Sequence, residues 1–349
     1  VNDKPFFTPQ CPSPERDEGL ITLAHGGGGL LTRRLIDDVF RPAFAHNAED
    51  LTHDGAVLEV GDTRLAFTTD SYVVKPLFFP GGDIGSMAVY GTVNDLAMCG
   101  AKPLYLSAGM VIEEGFALAD LRRVVASMSR AAQVAGVRLV TGDTKVVERG
   151  KGDGIYITTS GVGQVRAPRP VAPAQIREGD AIILSGDIAR HGMAVMAARE
   201  DFGFENDIAS DCAPLAEPVL AMLDGEIDLH CLRDLTRGGL GTALVEIAVD
   251  GGCDLQVARS AIPVSDTVRG ACEILGIDPI FVANEGRYIA IVPGGQAGSA
   301  LAIMQRFEKH AAVIGEVGRP QQTGQASLTT MGGDYVLDLP TGEQLPRIC

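Results

Sequence analysis

Nowhere among the 349 residues do two cysteines form a C-x-x-C pair, although the chain holds seven of them. An odd number without paired spacing argues against a disulfide framework and a zinc ribbon, so the thiols are read as reduced and the compartment as cytoplasmic. Clusters of Lys or Arg are missing too, and the formal charge is −16. Such a surface repels polyanions, which sets aside nucleic acids and anionic membranes as partners. No apolar run is long enough to cross a bilayer. Residues 1–22 are acidic and proline-containing, without the basic and apolar regions of a secretory signal. Also lacking are G-x-x-x-x-G-K-[ST], a G-x-G-x-x-G in a strand–turn–helix setting, H-E-x-x-H, a readable Ser/His/Asp grouping and any repeat of fixed period. A nucleotide, if bound, sits in neither a P-loop nor a Rossmann site.

What is present suggests two domains, each able to bury its own core. Strands are predicted over 56–60 and 64–69 across the turn Gly61-Asp62-Thr63, with Asp70 where the second one ends. Helical spacing covers 30–39, 85–99 and 117–135, the last with Leu118, Leu121, Val125, Met128 and Ala132 on one face. Strands follow at 137–141, leading into Gly142-Asp143-Thr144-Lys145, and at 155–159. The proline-rich stretch 166–173 reads as a boundary. Beyond it, strands at 181–184, 227–232, 288–292 and 313–317, with helices through Met193 and Met196, over 240–249 and over 297–308, form a second mixed α/β unit. A hairpin across Gly332-Gly333 closes it. The divisions are therefore a flexible segment 1–22, domains 23–165 and 166–340, and a mobile tail 341–349 that ends in Cys349.

Four aspartates, Asp70, Asp95, Asp143 and Asp234, each stand near the end of an element beside small residues. Any one of them can be a cap or turn residue. Asp95 is the most informative, because its helix is otherwise built from Ile84, Met87, Ala88, Val93, Leu96, Ala97 and Met98. A carboxylate buried there needs a cation or hydrogen-bond donors, and hard oxygens suit Mg²⁺ shared with substrate phosphates. Gly26-Gly27-Gly28-Gly29 precedes a helix and can present backbone N–H groups to an anion, or can be a plain linker. His25, beside the glycines, is the histidine to watch. Lys145 and Glu285 are candidates for charge stabilisation and base catalysis, or for surface ion pairs. Cys349, at the end of a tail punctuated by two prolines, reads either as an incidental residue or as a presented nucleophile able to carry a one-carbon group into a cleft.

The segments Ala24-His-Gly-Gly-Gly-Gly29, Thr68-Thr-Asp-Ser-Tyr72, Asn94-Asp-Leu-Ala-Met-Cys-Gly100, Thr141-Gly-Asp-Thr-Lys145, Asp234-Leu-Thr-Arg-Gly-Gly239 and Pro346-Arg-Ile-Cys349 closely resemble the HypE family of hydrogenase maturation proteins. That family belongs to the superfamily of aminoimidazole ribonucleotide synthetase, selenophosphate synthetase and thiamine monophosphate kinase. The resemblance implies an α/β (α+β) two-domain fold, with an N-terminal ATP-binding domain that dimerises into a joint β-barrel. It implies a carbamoyl dehydratase: HypF carbamoylates the terminal cysteine, ATP drives dehydration of the thiocarboxamide to thiocyanate, and the cyano group passes to iron on a HypC–HypD complex. Residue by residue, it implies Asp54, Asp70, Asp95 and Asp234 as Mg²⁺ ligands. His-Asp-Gly at 53–55 stands where Asp-Asp-Ala is more usual. Gly26 to Gly29, Asn94, Asp143, Thr236 and Arg237 are implied at the nucleotide, and Cys349, Glu285 and Lys145 at the reacting group. Glu285 is assigned the nitrogen protons and Lys145 the developing charge. The alternatives are a kinase or synthetase of the same superfamily acting on a free small molecule, and a non-catalytic carrier.

Overall fold

The computed structural model describes residues 20–44, 53–199 and 208–340, together with 345 and 348; Cys349 and residues 1–19 lie outside the described residues. The described chain opens with a 3-10 turn, Leu23–Gly26, and helix α1, Leu30–Leu35. The helix expected over 30–39 then widens into a π-turn, Ile36–Phe40, before α2, Arg41–Phe44. Pro42 explains the change. It has no N–H, and its ring opposes the regular helical bond, so the preceding Arg41 N–H reaches back five residues to the Ile36 carbonyl.

The first sheet is built from β1 (Ala56–Val60), β2 (Thr63–Tyr72), β5 (Ala101–Glu113), β6 (Arg138–Val147) and β7 (Ile155–Val165) in the order β1-β2-β7-β5-β6. A small hairpin, β3 (Phe78–Phe79) and β4 (Gly82–Asp83), leads into α3, Ile84–Met98. Asp83 caps this helix by accepting from the N–H groups of Gly85 and Ser86. Helix α3 is apolar nearly all round because it lies between β2, β5 and β7 on one side and α4 (Leu118–Val134) and the second domain on the other. The face that α4 buries differs from the expected one: Val124, Ser127, Met128, Ala131 and Ala132 are inside, whereas Leu118 and Val125 are exposed. Gly85 of α3 leaves room for the Val124 carbonyl and the Met128 side chain, which a Cβ there would meet. Strands β2 and β6 also run further than expected. Asp70, Asp143 and Lys145 therefore lie within strands rather than beyond their ends.

The second sheet has seven strands, β8 (Asp180–Leu184), β9 (Cys231–Asp234), β10 (Cys253–Ala258), β11 (Tyr288–Pro293), β12 (Ala312–Pro320), β13 (Ala326–Thr330) and β14 (Gly333–Val336), in the order β14-β13-β10-β12-β8-β11-β9. Helices α5 (Arg190–Arg199), α6 (Ala216–Asp224), α7 (Gly239–Gly251), α8 (Asp266–Leu275) and α9 (Ala297–Met304) accompany it. The sequence reading does not assign α6, β10 or α8, and it sets the β9 strand over 227–232. Pairing with β11 moves that strand: Cys231 lies opposite Ile291 and Asp234 opposite Tyr288, which puts Asp234 at its end. Central strands β8 and β11 are buried almost throughout, as expected of a sheet with both faces covered. The first sheet differs. Its edges β1 and β6 are exposed almost along their whole length, and among the described residues it does not close into a barrel.

The two halves meet along α3. Asn94 donates to the Ala213 carbonyl at 3.1 Å and accepts from the Leu215 N–H at 2.8 Å, so its amide ties α3 to the segment leading into α6. Among the described residues no helix is long and apolar enough to cross a membrane, and Cys99, Cys212, Cys231, Cys253 and Cys272 are all free thiols.

Candidate active site

Between the halves lies a cleft of about 290 Å³ whose walls include Gly28, Asp54, Asp70, Asp95, Asp234, Thr236 and Arg237. Each wall comes from a different element. Asp70 projects from β2 on the face that also carries buried Ala66, Thr68 and Tyr72. Asp95 comes from α3, and Asp234 from the end of β9. Thr236 and Arg237 lie in the turn that starts α7, where Gly238 takes a positive φ of 78°. The Thr68 hydroxyl donates to Asp95 Oδ2 at 2.7 Å and the Tyr72 hydroxyl to Asp70 Oδ2 at 3.2 Å. Arg233 holds Asp54 Oδ1 at 3.0 Å and Glu246 at 2.6 Å. Asp54 Oδ2 is buried with no hydrogen-bond partner.

This crowding has an electrostatic consequence. Burial, and after it the neighbouring carboxylates, pushes Asp95 and Asp234 well above the usual carboxylate range, with Arg233 drawing Asp234 partly back. Asp70 is raised chiefly by burial and lowered in part by Arg237. A site that resists the ionisation of its own carboxylates calls for positive charge. Among the described residues no three His, Cys, Asp or Glu side chains converge closely enough to hold a metal ion by themselves.

A narrow recess of about 30 Å³ opens from the same place, lined by Asp70, Ser71, Tyr72, Gly91, Thr236, Arg237 and Glu285. Glu285 is 3% exposed, and burial followed by the charges of Asp234, Asp211 and Asp70 raises its carboxyl well above the usual range. Its backbone is fixed from behind: the N–H groups of Glu285 and Gly286 donate to Asp211 Oδ2 at 3.3 and 3.0 Å. The structure thus brings Glu285 to the aspartates although more than 50 residues separate it from Asp234 in sequence.

The glycine run lies against both the cleft and the start of the tail. Gly28 lines the cleft at a φ of 78°, and its N–H donates to Thr32 Oγ1 at 3.0 Å. Arg237 donates to the Gly26 carbonyl at 3.1 Å. Gly29 has to be glycine for a different reason: a Cβ would overlap the Pro340 carbonyl oxygen, which accepts from the Leu30 N–H at 3.1 Å. Gly27 is buried behind this turn. His25 makes local contacts with Thr22 and does not line the cleft.

Other predicted residues sit elsewhere. Asp143 and Lys145 are exposed on β6, with Lys145 Nζ 3.8 Å from Asp143 Oδ2. Asp70 pairs with Thr159, Thr159 with Ala108 and Ala108 with Gly142, so β6 is three strand steps from Asp70, roughly 14 Å. Within one chain Lys145 and Asp143 do not reach the aspartates. Asn94 has both ends of its amide committed to the interdomain tie, not to the cleft. Conversely, His53, Arg33, Arg233, Glu246 and Asp250 line the cleft without having been singled out. Arg233 stands next to Asp234 and His53 next to Asp54, so both were within reach of sequence reasoning; Arg33, Glu246 and Asp250 carry no spacing signal.

The tail runs inward where it is described. Ile348 is 2% exposed, and its carbonyl lies 2.9 Å from His191 Nε2. His191 Nδ1 lies 2.8 Å from the Ser210 hydroxyl, next in sequence to the Asp211 that holds Glu285. Cys349 follows directly but lies outside the described residues.

Comparisons with known proteins agree with this arrangement. Residues 52–165 match the model of the AIR synthase related protein, N-terminal domain, and residues 177–325 that of the AIR synthase related protein, C-terminal domain. The chain is 50% identical over 341 residues to carbamoyl dehydratase HypE of Rhodobacter capsulatus, covering 96% of this chain and 99% of that one. The HypE–HypF complex contains a chain that superposes with a TM-score of 0.81 at 44% identity, covering 88% of this chain and 99% of that one. For hydrogenase maturation protein HypE in complex with ATP the TM-score is 0.79 at 43% identity, covering 94% and 100%. Sequence, fold and the acidic cleft converge: the chain belongs to the HypE carbamoyl dehydratase family, built on the two AIR synthase related domains.

Proposed function

We propose that this chain uses ATP to dehydrate a carbamoyl group carried on its own Cys349, giving the thiocyanate that supplies a cyanide ligand to the iron of a NiFe-hydrogenase. The observation that carries this reading is the inward tail. The residue before Cys349 is buried on His191, and Ser210 and Asp211 connect that spot to Glu285. The amide oxygen of the thiocarboxamide takes the γ-phosphoryl group of ATP, because oxygen leaves readily only as phosphate. The nitrogen then loses both protons, the C–O bond breaks, and a C≡N triple bond remains with ADP and phosphate as products. The protein contributes position and charge. Glu285 accepts nitrogen protons; its raised affinity for protons makes its ionised form a stronger base. Gly26 to Gly29, Thr236 and Arg237 hold the phosphates.

The acidic cleft fits Mg²⁺ that arrives with the phosphates. Asp54 Oδ2 is buried and unpaired, and burial, together with neighbouring carboxylates, raises Asp70, Asp95 and Asp234, so a cation there would stabilise their ionised forms. Phosphate oxygens would complete a ligand set that the aspartates do not form alone. Bound there, the ion would neutralise phosphate charge.

The first sheet supports a homodimer. Its edge strands expose Val57, Leu58 and Val60 on one side and Leu139, Val140 and Val146 on the other, an aggregation hazard unless another chain covers them. Two such sheets joined edge to edge make the joint barrel, and the partner's Lys145 then serves the site that one chain leaves without it. A HypF-type carbamoyltransferase loads Cys349, a HypC–HypD complex receives the cyano group, and the work proceeds in the cytoplasm. Truncation after Arg347 is the test against a kinase of small acceptors: ATP consumption dependent on the carbamoylating partner should vanish, and full turnover by the truncated chain would overturn the proposal.

A further inference from the structure

Resting on the tail as substrate, we infer that His191 is the positioning residue that docks it, clamping the Ile348 carbonyl beside the Ser210–Asp211 segment that fixes the Glu285 backbone. His191 is completely buried at the start of α5. Its proton arrangement is determined by its neighbours. The Ile348 carbonyl can only accept, so Nε2 carries the proton of the neutral ring, and the Ser210 hydroxyl, which accepts from the Cys212 N–H at 3.1 Å, donates to His191 Nδ1 at 2.8 Å. Nδ1 is therefore an acceptor, and Nε2–H is the donor that faces the Ile348 carbonyl at 2.9 Å. Burial keeps the imidazole below its ordinary range, against a smaller opposing pull from Asp211, consistent with a neutral ring. Phe79 meets the ring edge-on with centroids 5.3 Å apart, which limits its tilt.

Two apolar anchors flank the clamp. Ile348 joins the core cluster that contains Tyr72, Val74 and Phe79, and Leu345 packs against it. Gly192, next to His191, lies close to both Val282 and Leu345, so a side chain there would press on that contact. The dock thus reads a tail with apolar residues at 345 and 348 and a backbone carbonyl at the second of them. None of its atoms lines the acidic cleft, so it fixes the tail without touching phosphate.

Timed carboxypeptidase digestion and single-turnover dehydration of the full chain, each followed by mass spectrometry, test this. His191→Leu should speed release of the last two residues by about fivefold to tenfold and slow dehydration by a similar factor, with ATP affinity unchanged. His191→Gln, whose side-chain amide can offer an N–H to the same carbonyl, should restore both. Ile348→Ala, which removes the apolar anchor and keeps the carbonyl, should also loosen the tail, and combined with His191→Leu should cost little beyond the larger single effect. A folded His191→Leu chain with native release and native dehydration rates would overturn the assignment. If that variant does not fold, unchanged protection in Ile348→Ala overturns it instead. Release rates that shift as expected in a protein that never dehydrates its tail would uphold the dock and remove the function proposed above.

Discussion

The acidic cleft and the tail dock are neighbours linked through Ser210, Asp211 and Glu285, yet they are built on opposite principles. In the cleft, polar groups are left in want of something: Asp54 Oδ2 has no partner, and three aspartates are held away from their charged forms by burial and by one another. At the dock every polar atom of His191 is satisfied, and the contacts around it are apolar. The cleft forgoes stability to attract a charged ligand that comes and goes. The dock gains order by holding a segment that never leaves the chain. Both are what positional catalysis requires, because the protein here has to bring two groups together and neutralise charge.

Removing the base should produce the largest effect. Glu285→Gln keeps the shape of the recess and relieves a buried charge, so ATP should still bind, while thiocyanate formation falls by about a hundredfold or more. A normal yield by mass spectrometry removes Glu285 as base. Next comes the question of which chain supplies Lys145. Lys145→Met and Glu285→Gln chains, each inactive alone, should regain roughly a quarter of the native rate when mixed and allowed to exchange subunits, since half of the dimers then carry one intact site. Recovery no greater than the sum of the separate variants would show that the partner chain does not supply Lys145, and native activity of Lys145→Met alone would place it outside the reaction. At the junction between cleft and tail, Gly29→Ala forces the Pro340 carbonyl aside and should cost about 1–3 kcal/mol of stability, read by urea denaturation, together with weaker ATP binding. Native behaviour would show that the glycine run is a plain linker.

The smallest stability effect has the opposite sign. Asp95→Asn should disable dehydration yet raise the Tm of the ligand-free protein by about 2–4 °C, because a buried group that resists ionisation is replaced by a neutral one. The folded protein holds the Asp95 proton more tightly than the unfolded chain, whose ordinary value is 3.8. Native stability from this group is therefore complete below about that pH and is lost as pH rises towards the raised folded value. The advantage of Asp95→Asn should be small near pH 4 and grow towards neutrality; an advantage that shrinks with rising pH would contradict the electrostatic reading of the cleft.

The β1–β2 hairpin, α3, α4, the β8 and β11 strands and the closing hairpin follow from alternation, helical spacing and glycine stops, and are legible in the sequence. So is the unusual position of Asp95, because a carboxylate on an otherwise apolar helix stands out without any coordinates. Three kinds of feature are not legible. The buried face of α4 depends on how closely Gly85 lets a neighbour approach. Asn94 reads as a nucleotide contact until its amide is found between the domains. The separation of Lys145 from Asp70 follows from strand order, which local pattern does not encode: two motifs that each end in Asp and small residues lie three strands apart. His191 carries no signal at all, since an isolated histidine at the start of a helix acquires its role only when a distant carbonyl arrives.

Mass spectrometry of the C-terminal peptide, after the chain is incubated with its carbamoylating partner with and without ATP, tests the central claim most directly. The account predicts a carbamoyl adduct on Cys349 in both samples, with loss of a water from it only where ATP is present. An adduct that never loses water while ATP is consumed, or one that loses it equally well without ATP, would contradict it.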